Sequence, residues 1–591
     1  MSTSSTNFAP NIILIHVDEL RFPTEFPEGV GTPEAFLAQF MPYTHRLLWQ
    51  EGVKFTNYHT AASDCSPSRA ALVTGLYGHQ TFLMCTRAST SNPNATSQPQ
   101  PSLNPAFPTY GKLLREIGYD TPYIGKWHLS DCPVDYASSA FYDYLAPYGF
   151  QGLTSPDPIG LPGQGVGATP PAPPPVGSST PISDAQTATQ AVAWLHHRAQ
   201  SANPRPFCLT VGFLNPHDKQ FFWAGTESNR FNAVYQEKAD GEEPGLQYTS
   251  TPVDLANPPS YGYHLPANWQ AEDNLLASSP KLHAVFREFF SYLIGGISDD
   301  PNYSEFEMVP SKSNEGKHTA VAPFTYWTRA LDMYTRAMVD VDLQIGQLLE
   351  NIPPSLAHNT VIVFTSDHGE YASAHGLQGK GCTVFKEGIH IPLIVRDLTR
   401  HFAAETSAPR QQLASSVDLL PLLVSLARDG TDWMLNGPYS TLYGKRARLF
   451  DVLANEAAPG RTFALHTTDE VIPVTMNYLK APEHVIGVIT ESGKLGTYAF
   501  WEKETITPRR LGLQVEYYDY TTNDGHLELH STPDSPAAKD VLRFLFDDLI
   551  PNELQAPLPP EYQAAQNNAQ ADFWSYVKKA NISALLTAIV D

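Results

Sequence analysis

Three long apolar runs in this chain stop abruptly at charged or polar residues. NIILIHV (residues 11–17) meets Asp18 and Glu19, PFCLTVGFL (206–214) meets Asn-Pro-His-Asp-Lys, and TVIVFTS (360–366) meets Asp367 and His368. Runs this continuous have no polar face, so they fit strands covered on both sides, as in a parallel sheet. Open sheets of that kind carry their ligand sites beyond the carboxyl ends of the strands, which is where these polar residues fall.

The segments between the runs complete the pattern. A helical stretch is expected around residues 41–52, a short strand at VKFTNYHT (53–60), and a helix start in ALVTGLYG, just after Cys65. TYGKLLREIGYDTPYIGKWHLS (109–130) reads as helix, glycine turn and strand, ending in Lys126, Trp127 and His128. Helices are expected over 184–200 and 325–350, a short strand in GIHIPLIVR, and a helix in VDLLPLLVSLA. Helices alternating with strands imply an α/β sheet. Residues 155–181 are dense in Pro and Gly and read as loop, while 219–320 lacks periodicity and reads as an insertion over the rim of a cleft. Past about residue 450 the strands shorten (HVIGVITES, KLGTYAFWE, LQVEYYDYTT) and a helix follows over 537–548. The expected organisation is a catalytic domain over 1–450, with loop insertions at about 154–182 and 219–325, and a smaller α+β subdomain over 451–591 containing an antiparallel sheet.

Composition excludes several functions. A formal charge of -23 offers no basic footprint for nucleic acid. The five cysteines (Cys65, Cys85, Cys132, Cys208, Cys382) are odd in number and lack CxxC spacing, which argues against a disulfide framework and a zinc ribbon. The polar start MSTSSTNFAPN has no apolar segment and no run is long enough for a bilayer, so the expectation is a soluble, cytoplasmic protein without a membrane partner. Sequons at Asn94, Asn302 and Asn581 then read as chance.

Four polar clusters end expected strands: Asp18/Glu19, Lys126/His128, His217/Asp218 and Asp367/His368. Each pair alone is ordinary, a cap or a solvated turn. Converging on one sheet edge, acids with histidines suit a hard divalent cation, Ca²⁺ first, with Mn²⁺ or Mg²⁺ as alternatives. Arg69, Lys126 and Lys380 suit a tetrahedral oxyanion, although each is equally readable as a surface residue. Cys65 itself admits three readings: a buried structural cysteine, a thiolate nucleophile, or a precursor of a modified residue.

CSPSRAALVTG (65–75) resembles the signature of the type I, formylglycine-dependent sulfatases of the alkaline phosphatase superfamily, through Cys65, Pro67, Arg69, Thr74 and Gly75. GKWHL (125–129), SDHG (366–369), KGCTVFKEGIHIPLIV (380–395) and EYYDYTTNDGHLEL (516–529) are similar to further segments of that family, in the family's order. The resemblance implies an alkaline phosphatase-like fold: a large mixed, mostly parallel sheet flanked by helices.

It also implies roles. Cys65 would be oxidised to 3-oxoalanine (formylglycine) by a formylglycine-generating or maturase enzyme, and its hydrated aldehyde would attack the ester to give a covalent sulfoenzyme. Asp18, Glu19, Asp367 and His368 would hold the metal. Arg69 would steady residue 65, Lys126 and Lys380 would bind the sulfate, His217 would assist the leaving oxygen, and His128 would take a proton from the remaining hydroxyl. The implied activity is hydrolysis of small aryl or alkyl sulfates. The related alternative is a phosphonate monoester or phosphodiester hydrolase, and an outside alternative is an inactive binding protein, which would be expected to lack one of these residues. Large enzymes of this kind often associate, so a homo-oligomer is among the expected partners.

Two departures stand out. The first strand is followed by Asp-Glu where many sulfatases have two aspartates, and the spacing from Lys380 to Pro392 is one residue longer than the family's pattern, which makes Lys386 the reserve lysine. His79 and His375 read equally as pocket residues or loop residues, and His16 as a core histidine. The tyrosines and tryptophans of 219–330 read equally as a substrate wall or as loop packing, and the other four cysteines as buried small residues.

Overall fold

The computed structural model describes residues 8–87, 101–131, 143–152, 154, 157–158, 160, 166–169, 182–202, 205–236, 252–278, 280–311, 318–402, 408–469, 481–502 and 505–579. The seven strands of its largest sheet are β1 (Asn11–Val17), β2 (Val53–Phe55), β3 (Pro122–Gly125), β4 (Gln151–Gly152), β5 (Cys208–Phe213), β6 (Thr360–Ser366) and β7 (Leu393–Asp397). Their spatial order is β2-β7-β6-β1-β5-β3-β4. Strands β6, β1, β5, β3 and β4 run parallel, and β7 and β2 close one edge antiparallel. The sheet is therefore mixed and mostly parallel.

Alternation along β1 shows why its run is apolar throughout. Ile13, Ile15 and Val17 pack with Ala188, Ala191 and Leu195 of helix Asp184–Ala199 and with Leu331, Val341 and Ile345 of helix Tyr326–Glu350. Ile12 and Leu14 point to the other face, against Leu72, Val73, Leu114, Leu422 and Leu423. Each such side chain buried contributes roughly 1.5–3 kcal/mol, and a polar residue on either face would forfeit that.

Register aligns the strand ends. Val17 lies opposite both Ser366 of β6 and Phe213 of β5, so Asp18 and Asp367 leave the sheet side by side. On β3, Gly125 pairs with Gly212 in a left-handed conformation (φ 93), and a Cβ there would sit 2.0 Å from the Gly212 carbonyl oxygen. Only glycine fits so close an approach, and it turns the chain to bring Lys126 to the same edge.

Three expectations need correction. The signature helix begins at Cys65 itself (Cys65–Thr74), not after it, and ends at Gly75, whose φ of 66 suits a left-handed cap. The stretch 219–320 is largely ordered: it contains helices Gly225–Gln236, Glu272–Ser278 and Lys281–Ile294 and a three-stranded sheet. The helix expected over 537–548 spans Pro536–Phe544 and continues as π-helix over Leu545–Leu554.

A separate antiparallel sheet contains β8 (Ala464–Thr468), β9 (His484–Ile489), β10 (Gly493–Ala499) and β11 (Gln514–Asp519), in that order. One face packs on Leu282, Phe286 and Phe385, the other on Ala61, Ala71, Tyr77 and the π-helical segment. The expected boundary near residue 450 lies in helix Leu449–Ala454. Among the described residues no helix is long and apolar enough to cross a membrane.

Candidate active site

Cys65 is the first residue of its helix, and the amide end of a helix favours negative charge. Its Sγ lies 3.4 Å from His368 Nε2, 3.7 Å from Lys126 Nζ and 3.9 Å from Asp18 Oδ1. Burial alone would push the thiol up, but the Lys126 and Lys380 ammonium groups, then His368, hold it well below its ordinary value. The pocket is built for an anion at residue 65.

Arg69 is four residues on, hence one turn along the same helix face. It reaches three strand ends at once: Nε donates to Asp367 Oδ2 at 2.9 Å, Nη1 to the Lys126 carbonyl at 2.8 Å, and Nη2 lies 3.3 Å from Asp18 Oδ2. Lys126 Nζ is paired with Asp18. The motif spacing thus makes the arginine a brace for the carboxylates beside residue 65.

Asp18, Cys65, Asp367 and His368 offer ligand atoms within 4.8 Å of one another. His368 Nδ1 is 3.0 Å from the Gly369 carbonyl, which only accepts, so Nδ1 carries a proton and Nε2 is the ring atom turned to the cluster, where a metal would replace its proton. Burial, then the charge of Asp18, raises Asp367 above the usual carboxylate range, a strain that a cation between the two acids would relieve. An oxygen-rich set with one oriented imidazole fits a divalent ion.

Glu19 is placed differently. It leaves β1 at φ 68, its Oε2 accepts from Lys380 Nζ at 2.8 Å, and His217 Nε2 lies 3.7 Å away. It shares ligand distance with Asp18 and His217, outside the group around Cys65. Burial raises Glu19 well above its ordinary value, and the neighbouring Glu370 carboxylate, itself paired with Lys219 at 2.6 Å, adds to that rise.

His217 and His128 are both buried. Burial, then Lys380 and Lys126, hold His217 down at about 3, so its imidazole is neutral. Gly160 covers its ring so closely that a Cβ would sit 2.6 Å from it. His128 has φ 61, its Nε2 lies 2.6 Å from the Arg87 carbonyl, and its backbone N–H and that of Trp127 donate to Asp157. Asp64, before Cys65, is raised by burial to about 6 and accepts from Thr468 of β8 at 2.6 Å.

The remaining candidates lie elsewhere. Lys386 Nζ donates to the His526 carbonyl at the surface, whereas Lys380 acts directly on Cys65, so the longer spacing does not displace it. His79 bonds Asp469, which also holds His484. His375 stacks on Phe385 at 3.5 Å and faces Glu387, and together with Glu528 they approach metal-ligand spacing; the Lys494 ammonium, 2.5 Å from Glu528, already supplies a cation there. His16 is buried, but its Nε2 has no hydrogen-bond partner. Cys85, Cys208 and Cys382 are buried; Cys132 and the sequons Asn94 and Asn581 lie outside the described residues.

Asp157, Glu370, Lys219 and Thr468 went unread in the sequence. Glu370 and Lys219 directly follow SDHG and PHD, a signal that was there; Asp157 and Thr468 carry no local one.

The sulfatase family model matches residues 10–429. The uncharacterized sulfatase YidJ of Escherichia coli (strain K12) is 26% identical over 401 residues, 64% of this chain, and the match spans 61% of that relative's length. The multifunctional alkaline phosphatase superfamily protein PehA of Trinickia caryophylli is 26% identical over 70% of this chain and 73% of its own. Among solved structures, the phosphonate monoester hydrolase SpPMH from Silicibacter pomeroyi superposes with a TM-score of 0.58 at 18% identity, covering 92% of this chain and 94% of that one.

Proposed function

The chain belongs to the sulfatase family, and from that premise we propose that it hydrolyses sulfate esters of small aryl or alkyl alcohols, with Cys65 converted to formylglycine. One observation carries the reading: a buried residue 65 at a helix amide end, with Lys126, Lys380 and His368 all acting on its side chain. The conversion calls for a formylglycine-generating or maturase enzyme during biosynthesis.

Asp18, Asp367 and His368 would hold one divalent cation, Ca²⁺ being favoured by the hard carboxylate oxygens, with Glu19 on the far side of Asp18 as a fourth candidate. When bound, that ion polarises the ester and lowers the pKa of the attacking hydroxyl. The chain does the rest. Lys126 and Lys380 clamp the anionic oxygens, Arg69 fixes the carboxylates that orient residue 65, and His217, whose Nε2 is turned toward Glu19 at 3.7 Å, assists the leaving oxygen. His128 takes the proton from the residue-65 hydroxyl that does not attack. A second hydroxyl on one carbon lets the chain expel sulfate without a water attack on sulfur.

A phosphonate monoester or phosphodiester hydrolase is the second reading, because the phosphonate monoester hydrolase SpPMH shares this fold. Paired kcat/KM values for an aryl sulfate and an aryl phosphonate decide: a sulfate preference is expected, and a clear phosphonate preference reverses the assignment. The two lysines separate in the same assay. Lys380→Ala should lower kcat/KM by roughly 10²–10³-fold, the scale of one lost transition-state donor, whereas Lys386→Ala should stay within about threefold of wild type, as surface changes do.

A further inference from the structure

We propose that Asp157 is a positioning residue that presents His128 to residue 65 with the Nδ1 lone pair as the proton acceptor; this rests on the role given above to His128. Asp157 is 2% exposed, and both its oxygens are used on consecutive peptide units. Oδ1 accepts the Trp127 N–H at 2.9 Å and Oδ2 the His128 N–H at 2.8 Å. The peptide held this way is an unusual one, because His128 lies in the left-handed region at φ 61, where a side chain needs outside support. The opposite end of the same residue is tied as well: Ser66 Oγ donates to the His128 carbonyl at 2.9 Å, and the Arg87 N–H donates to Ser66 Oγ at 3.1 Å. Ser66 follows Cys65 directly, so the clamp fixes His128 relative to the reacting residue itself.

The ring completes the geometry. Its Nε2 lies 2.6 Å from the Arg87 carbonyl oxygen. A carbonyl accepts and never donates, so Nε2 bears the hydrogen and Nδ1 bears the lone pair. Nδ1 has no partner among the described residues, and the Cys65 side chain acts directly on the imidazole. The backbone carboxylate clamp and the carbonyl at Nε2 therefore fix both the place and the tautomer of the base. Without Asp157 the left-handed turn loses both of its N–H acceptors, and the ring is free to leave residue 65.

The test uses metal-loaded full-length protein, with rates expressed per formylglycine-bearing chain. Asp157→Asn keeps the shape but turns an N–H toward a backbone N–H. It should lower kcat by roughly 10–100-fold, part of the 10²–10⁴ that a general base supplies, with KM for an aryl sulfate within about twofold. Asp157→Ser, which keeps one acceptor, is the second variant should the first fold poorly, and it should lose less. The decisive readout is coupling: in a His128→Ala background, Asp157→Asn should cost nothing further, because there is no ring left to position. A kcat within twofold of wild type for both Asp157 variants overturns the inference, as does a full loss that persists in the His128→Ala background. His128→Ala that retains wild-type turnover overturns the role of His128 and this inference with it, whereas an inactive His128→Ala beside unaffected Asp157 variants overturns the positioning alone.

Discussion

Cys65→Ala should abolish turnover, by at least ~10⁴-fold in kcat, the scale seen when a covalent nucleophile is removed. The fold should survive. The sulfur touches charged groups rather than a packed apolar wall, and Lys126 and Lys380 keep Asp18 and Glu19 as partners after the substitution. The expected change in stability is about 1 kcal/mol. Cys65→Ser separates formylglycine from a simple nucleophile. A single hydroxyl can accept a sulfuryl group but has no neighbour through which to expel it, so that variant should release about one equivalent of alcohol and stall. Peptide mass spectrometry of the active wild-type protein should find 3-oxoalanine at position 65. An intact thiol in fully active protein, or steady turnover by Cys65→Ala, defeats the proposed chemistry.

Asp18→Asn should be nearly as severe and should also weaken the protein. Asp18 is fully buried and sits between two cations, Lys126 and Arg69, while facing Cys65. Removing one partner of a buried ion pair typically costs about 3–5 kcal/mol, because the other partner is left uncompensated. Here two cations lose the same carboxylate. A metal donor is lost with it, so metal affinity should fall and kcat should drop by about 10³-fold or more. Urea denaturation, metal content per chain and kcat measure the three effects. Loss of activity with full stability and full metal content would mean that Asp18 serves the reaction in another way. Activity within tenfold of wild type would remove Asp18 from the centre altogether.

Much of this was legible because parallel sheets write their sites into sequence. A strand buried on both faces must be apolar throughout, so its last residue is marked by the first charge, and Asp18, Lys126, His217 and Asp367 each follow such a run. Residues acting through tertiary contact left no such mark. Asp157 serves residues 127 and 128 from within a Pro- and Gly-rich stretch, and its only signature is a pair of backbone hydrogen bonds. The helix Lys281–Ile294 was legible but missed: Leu282, Phe286, Phe289 and Phe290 recur at helical spacing and are all buried. β8 escaped for a different reason: a five-residue strand containing His and two Thr does not stand out by composition.

The contact between Asp64 and Thr468 reaches beyond geometry. These residues are 404 positions apart, yet the hydroxyl of one holds the carboxylate that stands before Cys65. A ribosome adding roughly 5–20 residues per second takes about 20–80 s to cross that interval. Throughout it, the segment around Cys65 waits for a strand not yet made, while in the finished fold Cys65 is 1% exposed and locked into its helix. The wiring of the fold therefore imposes an order in time: the surroundings of residue 65 are complete only once the strand that carries Thr468 has been made.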